Sequence, residues 1–329
     1  MTTPCETIRR QNAKSGLAPE ALGALSSRRR ALALELGVGH WLPGALAATE
    51  AAAPLRLAIS ESLVTDVNMN DARAAMRIWI QLISRDLGLV VEFSPKVFET
   101  TEEVMNRVRR GLCDSAAINV VEYRQLSDVL DPSLLIASAG TAGQEQYILL
   151  AKRNGGVGQL GDLRGRRLIS LTTPRMCVAS AWLSTILAAG HFGPGEKFFG
   201  PMIIDSKVSR VVLPVFFGQA DACLTTKRSF DTMCELNPQV AKDLVVIAAS
   251  PTMVVSGYMF RRGYKDPNRD KLIKALSNLR GTPSGRQLAT LFQFEEVAPR
   301  DTGCLAGALA ILAAAERTQE HQGAGGRNG

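Results

Sequence analysis

Strand-like and helix-like segments alternate along the first part of the chain, and this order constrains the fold more than any other feature. Residues 55–59, 89–93 and 116–119 are short, largely apolar runs typical of strands. Helix-start signals at residues 70–71 and 100–103, with Gly88 and Gly111 as stop signals, predict helices over residues 72–87 and 100–111. Because a helix between two strands joins them in parallel, the order predicts a parallel sheet with helices on its faces.

Residues 161–226 contain a second arrangement of the same kind. An apolar run at residues 168–171 follows a basic turn, and a helix is predicted over residues 176–189, where Gly190 is well placed to end it. The loop between this strand and this helix lies at the carboxyl end of a strand, where open α/β sheets bind ligands. The helix N-terminus beside it favours an anion.

Composition excludes several classes of function. The 329 residues are enough for two domains, and the net charge of +7 is accompanied by no basic stripe interleaved with aromatic residues, so we expect no nucleic-acid partner. The six cysteines form no C-x-x-C pair and there are only three histidines, so we expect no metal site and no cofactor. Cys223 and Cys234 are either small buried side chains or a disulfide.

Three motifs resemble those of a known family. Residues 162–168 read Asp-Leu-Arg-Gly-Arg-Arg-Leu and residues 217–222 read Phe-Gly-Gln-Ala-Asp-Ala, with an earlier copy of the second cadence at residues 110–116. Over residues 55–299 the chain resembles the periplasmic solute-binding proteins of ABC importers, in particular the phosphate, phosphite and phosphonate binders.

The resemblance implies a two-lobed α/β fold of the type II periplasmic-binding-protein class. Each lobe would be a mostly parallel sheet flanked by helices, with the ligand cleft between the lobes. The expected divisions are a disordered N-terminus with an export signal, lobe 1 in two segments, lobe 2, and a C-terminal helix with a flexible tail. They cover residues 1–53, 54–140 with 249–302, 141–248 and 303–329 respectively.

The resemblance also implies ligand contacts at strand ends and helix starts facing the cleft. The matching residues are Ser60, Ser62, Asn119, Tyr123, Thr172, Thr173, Arg175, Ser206, Lys207, Thr225 and Thr226. Hydroxyl and backbone N–H groups bind oxyanions well. The alternative is that the Ser and Thr residues only cap helices.

Departures from the family's pattern leave the ligand open. Thr172-Thr-Pro-Arg-Met-Cys177 stands where a Ser-Gly-Tyr-type run is usual, and Asp205-Ser-Lys207 stands where Gly-Ser-His is usual. Cations at Arg175 and Lys207 thus partly replace a glycine-rich phosphate cradle, although Arg175 is equally compatible with a solvent-facing loop charge. Tyr123 matches the family, whereas the neighbouring Glu122 does not.

The N-terminal region resembles an export signal. Residues 26–32 read Ser-Ser-Arg-Arg-Arg-Ala-Leu, similar to a twin-arginine motif, and Ala45-Leu-Ala47 offers a cleavage site. We therefore expect a periplasmic location. The alternative is a cytosolic N-terminal helix.

These features predict the solute-binding receptor of an ABC importer. It would be a monomer that closes on a small anionic ligand, such as a phosphonate or phosphate, and delivers it to an ABC permease in the inner membrane. We expect no catalysis, because no base is evident near Cys177 and none of His40, His191 and His321 has a catalytic setting. Two alternatives stay open on the same fold: a periplasmic sensor or partner protein without a transport role, and an enzyme similar to those of thiamine-pyrimidine synthesis.

Overall fold

A computed structural model describes residues 53–64, 67–139, 144–292 and 296–325, with the backbone alone at 134–139 and 321–325. The predicted export signal and its cleavage site lie outside these residues. The strands are β1 (Leu55–Ile59), β2 (Val91–Phe93), β3 (Ser115–Asn119), β4 (Leu130–Ala139), β5 (Gln144–Glu145), β6 (Tyr147–Lys152), β7 (Leu168–Leu171), β8 (Met202–Asp205), β9 (Ala222–Thr226), β10 (Leu244–Ala249), β11 (Met253–Val254), β12 (Ser256–Arg261) and β13 (Glu296–Arg300).

The helices lie between these strands in the alternation that the sequence predicted. They are α1 (Met69–Leu87), α2 (Thr101–Arg109), α3 (Val120–Leu126), α4 (Ala179–Ala189), α5 (Gly195–Phe198), α6 (Val208–Phe216), α7 (Lys227–Leu236), α8 (Pro238–Asp243), α9 (Asn268–Ser277), α10 (Pro283–Leu291) and α11 (Ala306–Gly325). Short 3-10 turns precede several of them. One, at Pro174–Met176, explains why α4 begins three residues later than predicted.

Two mixed sheets form the framework. In the first, of order β13-β4-β12-β3-β1-β2, β1 pairs in parallel with β2 and β3, while β12 is antiparallel to β3 and β4, and β13 to β4. In the second, of order β10-β6-β9-β7-β8, β7 pairs in parallel with β8 and β9, while β6 is antiparallel to β9 and β10. Most strands of each sheet therefore point one way, as expected, although antiparallel strands interrupt both.

The chain crosses between the sheets twice. β1 to β4, β12 and β13 build the first sheet, which we call lobe 1, and β6 to β10 build the second, lobe 2. A two-stranded ribbon of β5 and β11 accompanies the crossings. The expected division of the chain, with its boundaries at residues 140 and 249, stays a prediction. Helix α11, longer than predicted, packs on α4 of lobe 2, while its Glu316 pairs with Arg124 of α3 in lobe 1.

The repeated Gly-x-x-Asp cadence has the same structural role in both lobes. Gly111 after α2 and Gly218 after α6 have left-handed backbone angles (φ 67° and 73°), which glycine adopts without strain. Three residues on, Asp114 accepts the backbone N–H of Arg56 in β1 at 2.9 Å, and Asp221 accepts that of Arg167, just before β7, at 2.9 Å. Each aspartate thus fixes the start of the neighbouring strand.

The Asp114 carboxylate also accepts two hydrogen bonds from the Arg56 guanidinium, at 2.7 and 3.0 Å. Burial acts to raise the pKa of Asp114, but the hydrogen bonds and charge of Arg56 outweigh it, so the pKa lies below its ordinary value of 3.8. A carboxyl group whose pKa is lowered by folding stabilises the fold above that ordinary value. The contribution is lost as the pH falls.

Cysteines in the described part of the chain carry no disulfide. Cys113, Cys177, Cys223, Cys234 and Cys304 are free thiols, so Cys223 and Cys234 are not bridged, and the alternative of small buried side chains fits Cys113 and Cys223. Across the same described segments, no helix has the length and apolar character to cross a bilayer, and no group of acidic, histidine or cysteine side chains is arranged to hold a metal ion.

We expect Asp114→Asn to lower the free energy of unfolding by about 1–3 kcal/mol at pH 7, because charge-assisted hydrogen bonds are lost. Urea unfolding measured from pH 7 to pH 3 should also show a weaker loss of stability on acidification than in the parent chain. Asp128→Asn is the matched control, since Asp128 is exposed and lies 3.9 Å from Arg109. Equal pH dependence of Asp114→Asn and the parent would contradict this role.

Candidate ligand-binding site

A buried carboxylate, Glu122, stands at the carboxyl ends of β1 and β3. Its Oε1 accepts the hydroxyls of Ser60 and Thr101, each at 2.6 Å. Its Oε2 accepts the Ser62 hydroxyl at 3.0 Å and the Asn119 backbone N–H at 2.8 Å. Four donors on two oxygens fill the acceptor capacity of an ionised carboxylate. Two hydroxyls that the sequence assigned to an external oxyanion, those of Ser60 and Ser62, therefore already donate to the carboxylate of Glu122.

Asn119 links this network to helix α3. Its side-chain oxygen accepts the backbone N–H groups of Val121 and Glu122, each at 2.9 Å, and so caps the helix. Since the Glu122 carboxylate also accepts the Asn119 backbone N–H, the two residues form a reciprocal capping box. Local helix-capping chemistry thus places the carboxylate at this point.

An internal ion pair joins the lobe 2 loop to the connecting ribbon. Arg175 donates to Glu145 Oε1 at 2.6 Å, and the side chains are only 16% and 4% exposed. Tyr147 at the start of β6 fixes this loop, because its hydroxyl donates to the Arg175 carbonyl at 2.9 Å and accepts the Val178 N–H at 3.3 Å. The Arg175 guanidinium is therefore half-buried in an ion pair and does not face solvent.

An apolar cavity of about 250 Å³ lies inside lobe 1. It is bounded by one face of β1, by helices α1, α9 and α10, and by β12. The apolar side chains that line it include Leu55, Leu57, Ile59, Met76, Trp79, Ile83, Leu272, Leu276, Leu288 and Phe292. The opposite face of β1 contributes Ala58 to a separate core cluster, so the cavity belongs to one side of the sheet.

The cavity ends at polar groups from both lobes. Ser62 and Asn119 follow the ends of β1 and β3, Ser256 begins β12, and Glu145 and Arg175 approach from the ribbon and from lobe 2. Polar residues therefore cluster where the carboxyl ends of strands meet the other lobe, while the interior of the cavity is apolar. This division suits a ligand with one polar end and one apolar end.

The predicted site residues fall into two groups. Ser62, Asn119 and Arg175 line the cavity, and Ser60 lies next to Ser62 in the Glu122 network. The other seven do not line it.

Of those seven, three are buried and four lie in loops of lobe 2. Tyr123 is buried in the hydrophobic core, and Thr225 and Thr226 are buried at the end of β9, where Thr226 caps α7. The remaining four lie in the loops after β7 and β8. Thr172, Ser206 and Lys207 are exposed, and Thr173 is half-buried.

Several residues of the candidate site were not predicted from the sequence. Glu122 was noted only as a departure from the family's pattern, and Glu145 had no signal because it lies in a connection between predicted lobes. The cavity lining could not be found either, since stripes such as Met76, Trp79 and Ile83 are the ordinary pattern of a helix that packs on a core.

The groups considered for catalysis have unfavourable settings. Burial raises the pKa of the Cys177 thiol to about 12, so little thiolate exists at neutral pH. His191 is exposed just beyond the end of α4. Neither residue lines the cavity.

We expect Glu122→Ala to lower the free energy of unfolding by about 3 kcal/mol or more, because buried donors lose their acceptor. Acetate should restore part of this stability by occupying the vacated position. The measurement is the acetate dependence of the unfolding temperature at constant ionic strength. Glu61→Ala, at an exposed neighbouring position, should show no acetate effect beyond that of the parent chain. The absence of an acetate-specific rise in Glu122→Ala would contradict the assignment.

Comparison with solved structures identifies the fold. A Xanthomonas citri protein bound to chloride ion matches with a TM-score of 0.59 and 14% identity, over 81% of this chain and 99% of that one. A binding protein component of an ABC phosphonate transporter from Pseudomonas aeruginosa matches with a TM-score of 0.55 and 15% identity, over 81% and 88%. PhnD1 from Prochlorococcus marinus, in complex with methylphosphonate, matches with a TM-score of 0.55 and 14% identity, over 80% and 98%. The two-lobed periplasmic-binding-protein fold is thereby confirmed.

Sequence comparison shows the family. A search of curated proteins gives no match. The family model described as "ABC transporter, phosphonate, periplasmic substrate-binding protein" matches residues 62–302, well over half of the chain. The chain therefore belongs to the family of periplasmic substrate-binding proteins of phosphonate-type ABC transporters.

Proposed function

We propose that the protein is the solute receptor of an ABC importer and that it closes around its ligand by a hinge motion between the two lobes. The observation that carries the proposal is a cavity whose polar end is built by both lobes: Ser62 and Asn119 from lobe 1 and Arg175 from lobe 2. A ligand that contacts both sides favours the closed arrangement, because it binds that arrangement more tightly.

The charges at the polar end restrict the ligand. Glu122 and Glu145 are set against the single guanidinium of Arg175, and the hydroxyls of Ser60 and Ser62 donate to Glu122. A dianion such as phosphate would approach Glu145, which lines the cavity, and Glu122, which lies behind Ser62, and would compete with both for their donors. We therefore narrow the predicted oxyanion to a ligand group with at most one negative charge, which Arg175 and the Asn119 amide would bind.

The hinge would involve the ribbon of β5 and β11 and the helix α11. Glu145 lies in this ribbon and pairs with Arg175, so the polar end of the cavity is directly connected to the crossing segments. Helix α11 contacts both lobes through α4 and through the ion pair of Glu316 with Arg124. Closure would rearrange these contacts, which couples ligand binding to the shape of the whole receptor.

The family supports the other parts of the proposal. Its members are periplasmic substrate-binding proteins, so we propose a periplasmic location, delivery to an ABC permease in the inner membrane, and no catalytic role. We propose that the receptor acts as a monomer, as the sequence predicted.

We expect a ligand with one negative charge to raise the unfolding temperature of the full chain and to reduce its radius of gyration. The probes are inorganic phosphate, methylphosphonate, acetate and octanoate, measured by thermal unfolding and small-angle X-ray scattering. A probe at 100 times its dissociation constant should stabilise the fold by about 2.7 kcal/mol. Compaction should accompany the shift.

A test variant and a matched control examine the role of the Arg175–Glu145 ion pair. Removing one member of a buried ion pair leaves the other unpaired, so the test variant is the double substitution Arg175→Met with Glu145→Met. It should abolish the effect of the probe, whereas Arg210→Met, at an exposed position of lobe 2, should preserve it. If no probe changes the radius of gyration, the proposed closure is wrong.

A further inference from the structure

We propose that the cavity in lobe 1 binds the apolar part of an amphipathic solute: a chain or ring of about ten carbon atoms that ends in a carboxylate or hydroxyl group. This inference rests on the proposed receptor function and names the class of its ligand. The juxtaposition that carries it is an apolar chamber inside one lobe, continuous with a polar end at the other lobe.

The size of the chamber sets the size of the apolar group. The whole cavity, polar end included, has a volume of about 250 Å³, whereas an apolar cavity of about 150 Å³ is enough to bind benzene. In proportion, the cavity holds roughly ten carbon atoms, the polar group of the ligand included. A phosphonate with one or two carbons would leave most of this space unfilled.

The walls of the chamber are suited to an apolar occupant. Leu57, Trp79 and Leu276 face it from three different elements, and the interior side chains are aliphatic or aromatic. Protein cores are otherwise close-packed, and a cavity of this size leaves its lining atoms without contacts on one side. An apolar ligand would supply those contacts, and its own transfer from water is favourable.

The polar end selects a weakly charged oxygen-bearing group. The amide oxygen of Asn119 is used by the cap of α3. Asn119 lines the chamber beside Ser62 and Arg175. The Asn119 amide and the Arg175 guanidinium offer N–H groups to one carboxylate or hydroxyl, while Glu122 and Glu145 disfavour a dianion.

The test is a chain-length series measured by isothermal titration calorimetry on the full chain. The probes are acetate, hexanoate, octanoate, decanoate and dodecanoate, below their micelle-forming concentrations, and decanol. We expect affinity to rise about threefold to fourfold for each added methylene and to level off near ten carbons, where the chamber is full. Adsorption to the protein surface would show no such limit.

Two variants alter the chamber in opposite directions. Ala117→Phe, on the β3 wall, should fill it and reduce decanoate affinity at least tenfold. Leu276→Ala should enlarge it and move the limit to a longer chain. Ala310→Phe, at an exposed position of α11, is the matched control and should bind decanoate as the parent does. Circular dichroism establishes that each variant is folded.

The outcomes separate this inference from the receptor function. If affinity does not rise with chain length, or if Leu276→Ala leaves the limit unchanged, the chamber is not the ligand site, and a response to phosphate or methylphosphonate with compaction would still support the receptor. If decanoate binds with the expected chain-length limit but without compaction, the chamber assignment holds and the hinge proposal fails.

Discussion

Glu122 brings a negative charge into the interior of lobe 1, and the ends of three elements are arranged around it. Ser60 and Ser62 follow β1, Thr101 begins α2, Asn119 ends β3, and all of them direct donors at this one carboxylate. A buried carboxylate without such donors would be costly. The network therefore determines the course of these loops and, through Ser62 and Asn119, the position of the polar end of the cavity.

The consequence for recognition is that donors suited to an oxyanion are already occupied. On the other side of the cavity, the Arg175 side chain is paired with Glu145, and its backbone carbonyl accepts a hydrogen bond from the Tyr147 hydroxyl. A highly charged ligand would have to displace two internal carboxylates from their partners, whereas an apolar group enters the chamber without such competition. The chain thus has the two-lobed fold of its family, and the ligand that we propose differs from a small phosphonate because of these polar residues and this cavity.

Much of the framework follows from local rules that can be read in the sequence. Gly111 and Gly218 end helices because they adopt left-handed angles, Asp114 and Asp221 bind the neighbouring strands, and Gly88 ends α1 in the same way as the other two glycines. The site was less predictable. Ser62, Asn119 and Arg175 were predicted from their positions at strand ends and line the cavity, and their role in ligand binding stays a prediction. Hydroxyls at such positions serve ligands and helix caps alike, and Thr226 caps α7.

The cavity was not predictable from the pattern of apolar residues. Leu55, Leu57 and Ile59 alternate as they would in any half-buried strand, and the sequence gives no sign of whether the facing helices pack in contact or leave a space. The pairing of Glu145 with Arg175 depends on how the crossing segments run between the lobes. Such long-range geometry lies beyond spacing and propensity.

The most direct test of the proposed ligand class is a crystal structure of the full chain with 10-bromodecanoate, using the anomalous signal of bromine to locate the far end of the ligand. We expect a bromine peak inside lobe 1 beside the cavity residues Trp79 and Leu276, with the carboxylate near Arg175 and Asn119. A peak on the protein surface, or a carboxylate held away from Ser62, Asn119 and Arg175, would contradict it.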